Sequence, residues 1–308
     1  MKKESVKYVY LIMVFVAFIW GINPPVMKLG LAHIAPMPYN AARMLVALGA
    51  GWVALVISGT YQPFARKDIV KIFLVSAAGF FLFQIFLTIG VQKTTAGNTS
   101  LILAILPVSV AIINKVCNIE EISKPVLIGI IASLIGVVFI IAGSNKELSF
   151  SDNHIAGAII LLAAQASYGY YTVFSKELLA KYSTYQITAY VLLISTLLFC
   201  IIALPDMFKM EWGKVPIIGW ASVIFSGLFP LCIGNFLWIW GLGKIGSTKA
   251  AIYNNLSPVF AVLAGYWLLG ESFGLLQFIG AAIIFAGLYL TRTKGSLLAD
   301  KVQKEGSN

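Results

Sequence analysis

The chain has 308 residues, of which 59% are apolar and only 11% charged, against about a quarter charged in an ordinary soluble domain. So few charges cannot clothe a water-soluble protein of this length, and the apolar residues fall in long runs that suit a lipid bilayer. The net charge of +10 comes from lysines in short loops between the runs, with no basic stripe, which excludes nucleic acid as a partner and assigns the lysines to membrane orientation.

A helix crossing ~30 Å of hydrocarbon needs about 20 residues. Ten stretches qualify, near 8–28, 36–59, 69–92, 95–115, 124–143, 155–175, 184–204, 216–242, 247–268 and 271–291. The first, MKKESVKYVYLIMVFVAFIW, has the flank and core of a signal peptide but no small-residue cleavage site, and is read as an uncleaved span. It runs into FIWGINPPVMKLG, where Pro24 and Pro25 remove two backbone donors and disfavour helical geometry before them. Two readings stand. Either the helix breaks there and the break lines a wet cavity with Trp20 and Asn23, because freed carbonyls in lipid cost several kcal/mol each, or the prolines end the helix at the outer interface.

The second span carries Arg43, the one charge well inside a span, about 10 Å deep at ~1.5 Å per residue, one turn after Tyr39 and Asn40. A charge there costs about 2.5–3.5 kcal/mol on insertion scales, so it is expected to face the bundle interior and to have a partner. It is either the contact for a substrate anion or a structural arginine that snorkels or caps the neighbouring helix. The third span holds Gln84, and the fourth is expected to break at Pro107. The fifth, with Gly129 and Gly136, and the tenth, with Gly280 and Gly287, are otherwise featureless and read as scaffold packed through small residues.

The sixth span contributes Tyr168, Tyr170 and Tyr171, and the eighth Asn235 with Trp238 almost one turn later. In the ninth, AIYNNLSPVF places Tyr253, Asn254, Asn255 and Ser257 before Pro258, a second expected break. These polar positions are either cavity lining or interhelical hydrogen bonds worth about 0.6 kcal/mol each. The substrate cavity is therefore expected to combine Trp20, Asn23, Tyr39, Asn40, Arg43, Gln84, Tyr168, Tyr171, Asn235, Trp238, Tyr253 and Asn254.

With the N-terminus inside, 16 Lys and Arg fall on the cytoplasmic side and 5 on the outer side, which predicts both termini in the cytoplasm. The chain is also duplicated. Trp20, Gly21 and Lys28 correspond to Tyr168, Gly169 and Lys176, 148 residues on. Gln84, Pro107, Glu120, Gly129 and Gly136 correspond to Asn235, Pro258, Glu271, Gly280 and Gly287, 151 residues on. Residues 1–145 and 150–292 are thus two five-helix repeats, followed by a polar cytoplasmic tail, 293–308. Five is odd, so the second repeat enters the membrane from the other side. Inverted repeats of this kind are found in secondary transporters.

The motifs WGINPPVMK, PMPYNAARMLVAL, the Pro-Val pairs at Pro107 and Pro258, and GESFGLLQFIGAAIIFAGLYL occur in an order that resembles the EamA branch of the drug/metabolite transporter superfamily over roughly residues 10–292. That resemblance implies an all-α inner-membrane carrier of small metabolites, often an exporter of amino acids or related compounds. One departure is Val191, which stands where a second copy of Arg43 would fall.

The twelve acidic residues all lie in loops, tails or span ends, so no embedded carboxylate offers the proton route used by the related small multidrug resistance carriers. His33 and His154 lie at the outer edge, and Cys117, Cys200 and Cys232 have no paired spacing, so neither a metal nor a disulfide framework is expected, and no cofactor. A lipid-active membrane enzyme would need clustered carboxylates, histidines or a nucleophile with its base, and none is present. A non-transporting scaffold would not require polar residues inside the spans. The expected partners are a small-molecule substrate and membrane lipid, with the protein a monomer or weak homodimer.

Overall fold

The computed structural model describes residues 3–93, 102–143, 152–269, 274–276, 278–287 and 289–290. Among them every regular element is helical. Span one is Lys3–Leu31 and span two Pro36–Ser58. Span three joins α-helix Arg66–Leu74, a π-helical segment Val75–Phe81 and α-helix Leu82–Lys93. Span four is described over Leu106–Val116, span five is Lys124–Gly143, span six Asp152–Leu178 and span seven Thr184–Lys209. Span eight repeats the plan of span three, with α-helix Ile217–Ser226, π-helical Gly227–Gly234 and α-helix Asn235–Ile245. Span nine is helix Ser247–Tyr253, a 3₁₀ turn Asn254–Leu256 and helix Ser257–Leu269, and span ten is described over Phe278–Gly287.

Five of these helices are by themselves long and apolar enough to cross a membrane: Lys7–Leu31, Pro36–Ser58, Arg66–Gly90, Thr184–Lys209 and Ile217–Ile245. Others are interrupted. Pro107 and Pro258 each occupy the first turn of a helix, where a missing N–H costs nothing, and each follows a non-α turn. The expected breaks in spans four and nine therefore lie at these two positions.

Pro24 and Pro25 behave differently, and the expected break there is corrected. Span one stays helical through both and continues to Leu31, so they neither break the helix nor end it. A proline's φ of about −65° is itself helical. What is lost is the pair of hydrogen bonds to the carbonyls of Trp20 and Gly21, and both residues border an internal cavity instead of lipid.

The two five-helix repeats pack as inverted partners. Span one lies against nine and eight, and their counterparts, span six against four and three, do the same. Spans two and seven occupy equivalent places and cross antiparallel. Thr196 donates to the carbonyl of Met44, while Trp52 packs on Tyr190 and Gly51 on Leu192. Spans five and ten also meet antiparallel. A Cβ on Gly136 would sit 2.6 Å from the carbonyl oxygen of Gly280, and one on Gly287 2.9 Å from that of Gly129. Glycine is required at this crossing because the backbones touch.

Candidate functional site

A cavity of about 230 Å³ opens between spans one, two, three, four, six, eight and nine. Its position follows from the interrupted helices. Both π-helical segments line it, through Phe80 in span three and Pro230 and Leu231 in span eight, and so do both broken regions, through Leu103, Ala104, Asn254 and Pro258. π-Helical turns displace backbone and side chains from regular α positions and recur at functional sites.

Aromatic rings form one side. Trp20 packs on Trp238 at 5.0 Å and on Tyr168 at 6.0 Å, and Tyr168 lies 4.5 Å from Phe83, all between ring centroids. The indole N–H of Trp20 donates to the carbonyl of Pro230 at 3.1 Å, so span one is tied to the π segment of span eight. Gly234 makes room for this, since a Cβ there would come 2.8 Å from the indole nitrogen. In the other repeat, Gly79 of the first π segment lets Tyr171 approach, with a Cβ position 2.8 Å from the Tyr171 side chain.

Arg43 forms the polar pole. It is 2% exposed, and its three hydrogen bonds go to neutral groups: Nε to Asn40 Oδ1, Nη2 to Gln84 Oε1 at 3.0 Å and Nη1 to Met27 Sδ at 3.2 Å. Among the described residues no carboxylate pairs with it. Four more lining residues carry buried polar atoms without a partner: Asn23 Oδ1, Gln165 Oε1, Asn235 Nδ2 and Ser257 Oγ. Buried polar groups are normally hydrogen-bonded, so a set of orphans around one space marks a place where solvent or solute completes them. The arrangement offers two basic side chains, Arg43 and Lys28, with amide donors and acceptors and aromatic faces around a small volume.

Of the residues expected to share a cavity, the structure brings together Trp20, Asn23, Arg43, Gln84, Tyr168, Asn235 and Asn254. It corrects the rest. Tyr171 and Trp238 are buried behind the wall, where Tyr171 donates to Asn235 Oδ1 at 2.8 Å and Trp238 backs Trp20. Tyr253 turns away and stacks on Tyr10 at 5.7 Å, because its short helix precedes the 3₁₀ turn that rotates Asn254 inward. Tyr39 and Asn40 line a smaller pocket that shares Met27, Leu31, Arg43 and Leu87 with the cavity, and the Tyr39 hydroxyl bonds to Ser222 and Ser226. Gln165, Phe80 and Phe83 were not expected at the cavity. Gln165 was detectable as the one amide in an apolar span, a turn before Tyr168, whereas the two phenylalanines carry no mark that separates them from lipid-facing ones.

The sequence profile of the EamA-like transporter family matches residues 7–142 and 155–293. An uncharacterized transporter of Archaeoglobus fulgidus is 25% identical, over 92% of this chain and 99% of its own length. The uncharacterized transporter YetK of Bacillus subtilis is 27% identical over 89% of this chain and 83% of its own. A probable terminal-alkyne amino-acid exporter of Streptantibioticus cattleyicolor is 29% identical over 88% and 89%. One solved crystal structure superposes with a TM-score of 0.79, at 16% identity, over 93% of this chain and 98% of that one, a likeness of fold. With its helical membrane fold, its two repeats and this match across both of them, the chain belongs to the EamA-like transporter family.

Proposed function

We propose that this transporter moves small amphipathic solutes that carry a carboxylate, namely amino acids or related zwitterionic and anionic compounds. It exports them across the plasma membrane by alternating access between its inverted repeats, 1–145 and 150–292, with both termini and the tail 293–308 in the cytoplasm. The observation that carries this reading is Arg43: a permanently charged group, buried, without a carboxylate partner among the described residues, at the edge of a cavity walled by aromatic rings. A substrate carboxylate would complete the guanidinium, and its apolar part would lie against Trp20, Tyr168 and Phe83. Export is supported by the relative described as a probable amino-acid exporter. The repeat boundaries are supported by the two stretches that the family profile matches.

The test is flux of labelled amino acids into proteoliposomes. Wild type should show saturable flux, which a channel would not. Arg43→Lys should fold but transport at least tenfold more slowly, because lysine keeps the charge and loses the planar two-pronged contact. Arg43→Gln should lose anionic solutes more than neutral analogues. Wild-type flux through both variants, each monodisperse in detergent, would remove Arg43 from the substrate site.

A further inference from the structure

The central cavity is shut at one end. In span one its lining runs from Trp20 to Leu31, the last part of Lys3–Leu31, and in span two it includes Arg43, in the first part of Pro36–Ser58. The cavity therefore lies between the middle of the bundle and the end at which span one finishes. At the opposite end the two repeats are tied to each other. Among the described residues three ion pairs join the repeats, Lys71 to Glu177, Lys181 to Asp68 and Lys176 to Glu120, and all three lie at that end.

One element stands between the cavity and the closed end. It is the half-helix Ser247–Tyr253 of span nine, whose residues are all buried except Lys249. Asn254, which follows it, lines the cavity. The half-helix is bounded by Gly246 on one side and by the 3₁₀ turn Asn254–Leu256 on the other. Gly246 has φ 82° and ψ 162°, a conformation open to glycine and strained for other residues.

So short a helix does not hold itself together, and its order comes from what grips it. The N–H groups of Ser247 and Thr248, at its start, donate to the Glu120 carboxylate, and Asn114 Nδ2 lies 2.9 Å from both of their hydroxyls. Glu120 and Asn114 belong to the first repeat and the half-helix to the second. The fit is close, since a Cβ on Gly246 would come 2.9 Å from Glu120 Oε1.

We infer that Ser247–Tyr253 is the inner gate of the carrier, a plug that swings on Gly246 and on the 3₁₀ turn, and that Glu120 latches it from the other repeat. Releasing the carboxylate frees the start of the half-helix and opens the cavity toward the end that is closed here. The gating role rests on the transport reading above, whereas the latch does not.

The experiment follows N-ethylmaleimide labelling of a cysteine placed in the gate, in the purified full-length protein in detergent, read peptide by peptide by mass spectrometry. Ala251 is 0% exposed, so in Ala251→Cys the thiol should react only when the half-helix leaves its seat. Adding Glu120→Gln should speed that labelling about tenfold or more, the factor for losing one hydrogen bond to a charged group. Ala189→Cys, buried in the first turns of span seven near the same end, is the control and should keep its rate. Gly246→Ala, which presses a methyl group on the latch, should act as Glu120→Gln does. Should neither be recovered folded, Lys176→Gln removes the ion pair alone and should speed labelling at position 251 and not at 189. Unchanged labelling at position 251 in these variants, or a rise that position 189 shares, overturns the gate. Faster labelling at position 251 in a protein without amino-acid flux would leave the latched half-helix standing and sink the transport reading. Saturable flux with unchanged labelling does the reverse.

Discussion

Asn254 Nδ2 donates a 3.2 Å hydrogen bond to the backbone carbonyl of Leu103, a residue 151 positions earlier. That separation is the offset of the repeat, so the two residues occupy the same place in the two halves, and they touch. Such a contact lies on the axis that relates the halves. It also joins the interruptions of spans four and nine, where the carbonyl of Leu103 sits beside the non-helical turn before Pro107. Asn254→Leu removes the donor and leaves that carbonyl open. The variant is expected to lose about 0.5–1.5 kcal/mol, the range for one hydrogen bond that is only part-buried, read as a lower melting temperature in detergent. Unchanged melting would mean that the breaks hold without this bond.

The crossing of spans five and ten makes a purely steric prediction. Gly136→Val would drive a side chain into the carbonyl of Gly280, 2.6 Å from the new Cβ. The expected cost is about 1–3 kcal/mol, as for other overpacked interiors. Gly49, which has nothing within 4 Å of a Cβ, is the control, and Gly49→Val should melt close to wild type.

Glu120 ties the repeats together at one end of the bundle. It lies in the loop before span five and accepts from Lys176 of span six, from the backbone N–H of Ser247 at 3.0 Å and of Thr248 at 3.1 Å, and from the Thr248 hydroxyl at 2.8 Å. Burial works against its charge, but Lys176 and the two N–H groups outweigh it and hold the carboxyl below its ordinary value. A carboxylate depressed in the folded state stabilises above the unfolded value of about 4.3, and that stability fades as pH falls through the lower folded value. Glu120→Gln should therefore melt below wild type at pH 7, and the gap should close below about pH 4. A gap that is constant with pH would show that the charge contributes nothing.

Orientation has a direct test in a Cys117→Ser background. Gly213, exposed between spans seven and eight, is expected outside, and Tyr61, exposed between spans two and three, inside. An impermeant thiol reagent added to intact cells should label Gly213→Cys and spare Tyr61→Cys. The opposite pattern would invert the topology.

What the sequence determined by itself was whatever composition and spacing control. The scarcity of charge dictated a membrane protein, and the recurrence of Gly, Pro and Gln/Asn at one offset revealed the duplication. The helix break at Pro258 was legible because polar residues and a proline coincide there, that at Pro107 because it is the counterpart of Pro258 at the repeat offset, and Arg43 because a permanent charge has few places to go in lipid. The tertiary structure decided the rest. Pro24 and Pro25 stay within a continuous helix, and Trp20 and Gly21, whose carbonyls they leave without partners, border a cavity, which is a fact of packing and not of local propensity. The π-helical segments arise where Trp20 and Tyr171 press on spans eight and three through Gly234 and Gly79, contacts between residues far apart in sequence. Helices that are apolar on every side carry no periodic stripe to say which face turns inward. For that reason Phe80 and Phe83 at the cavity, and Tyr253 and Trp238 away from it, were settled only when the ten spans packed together.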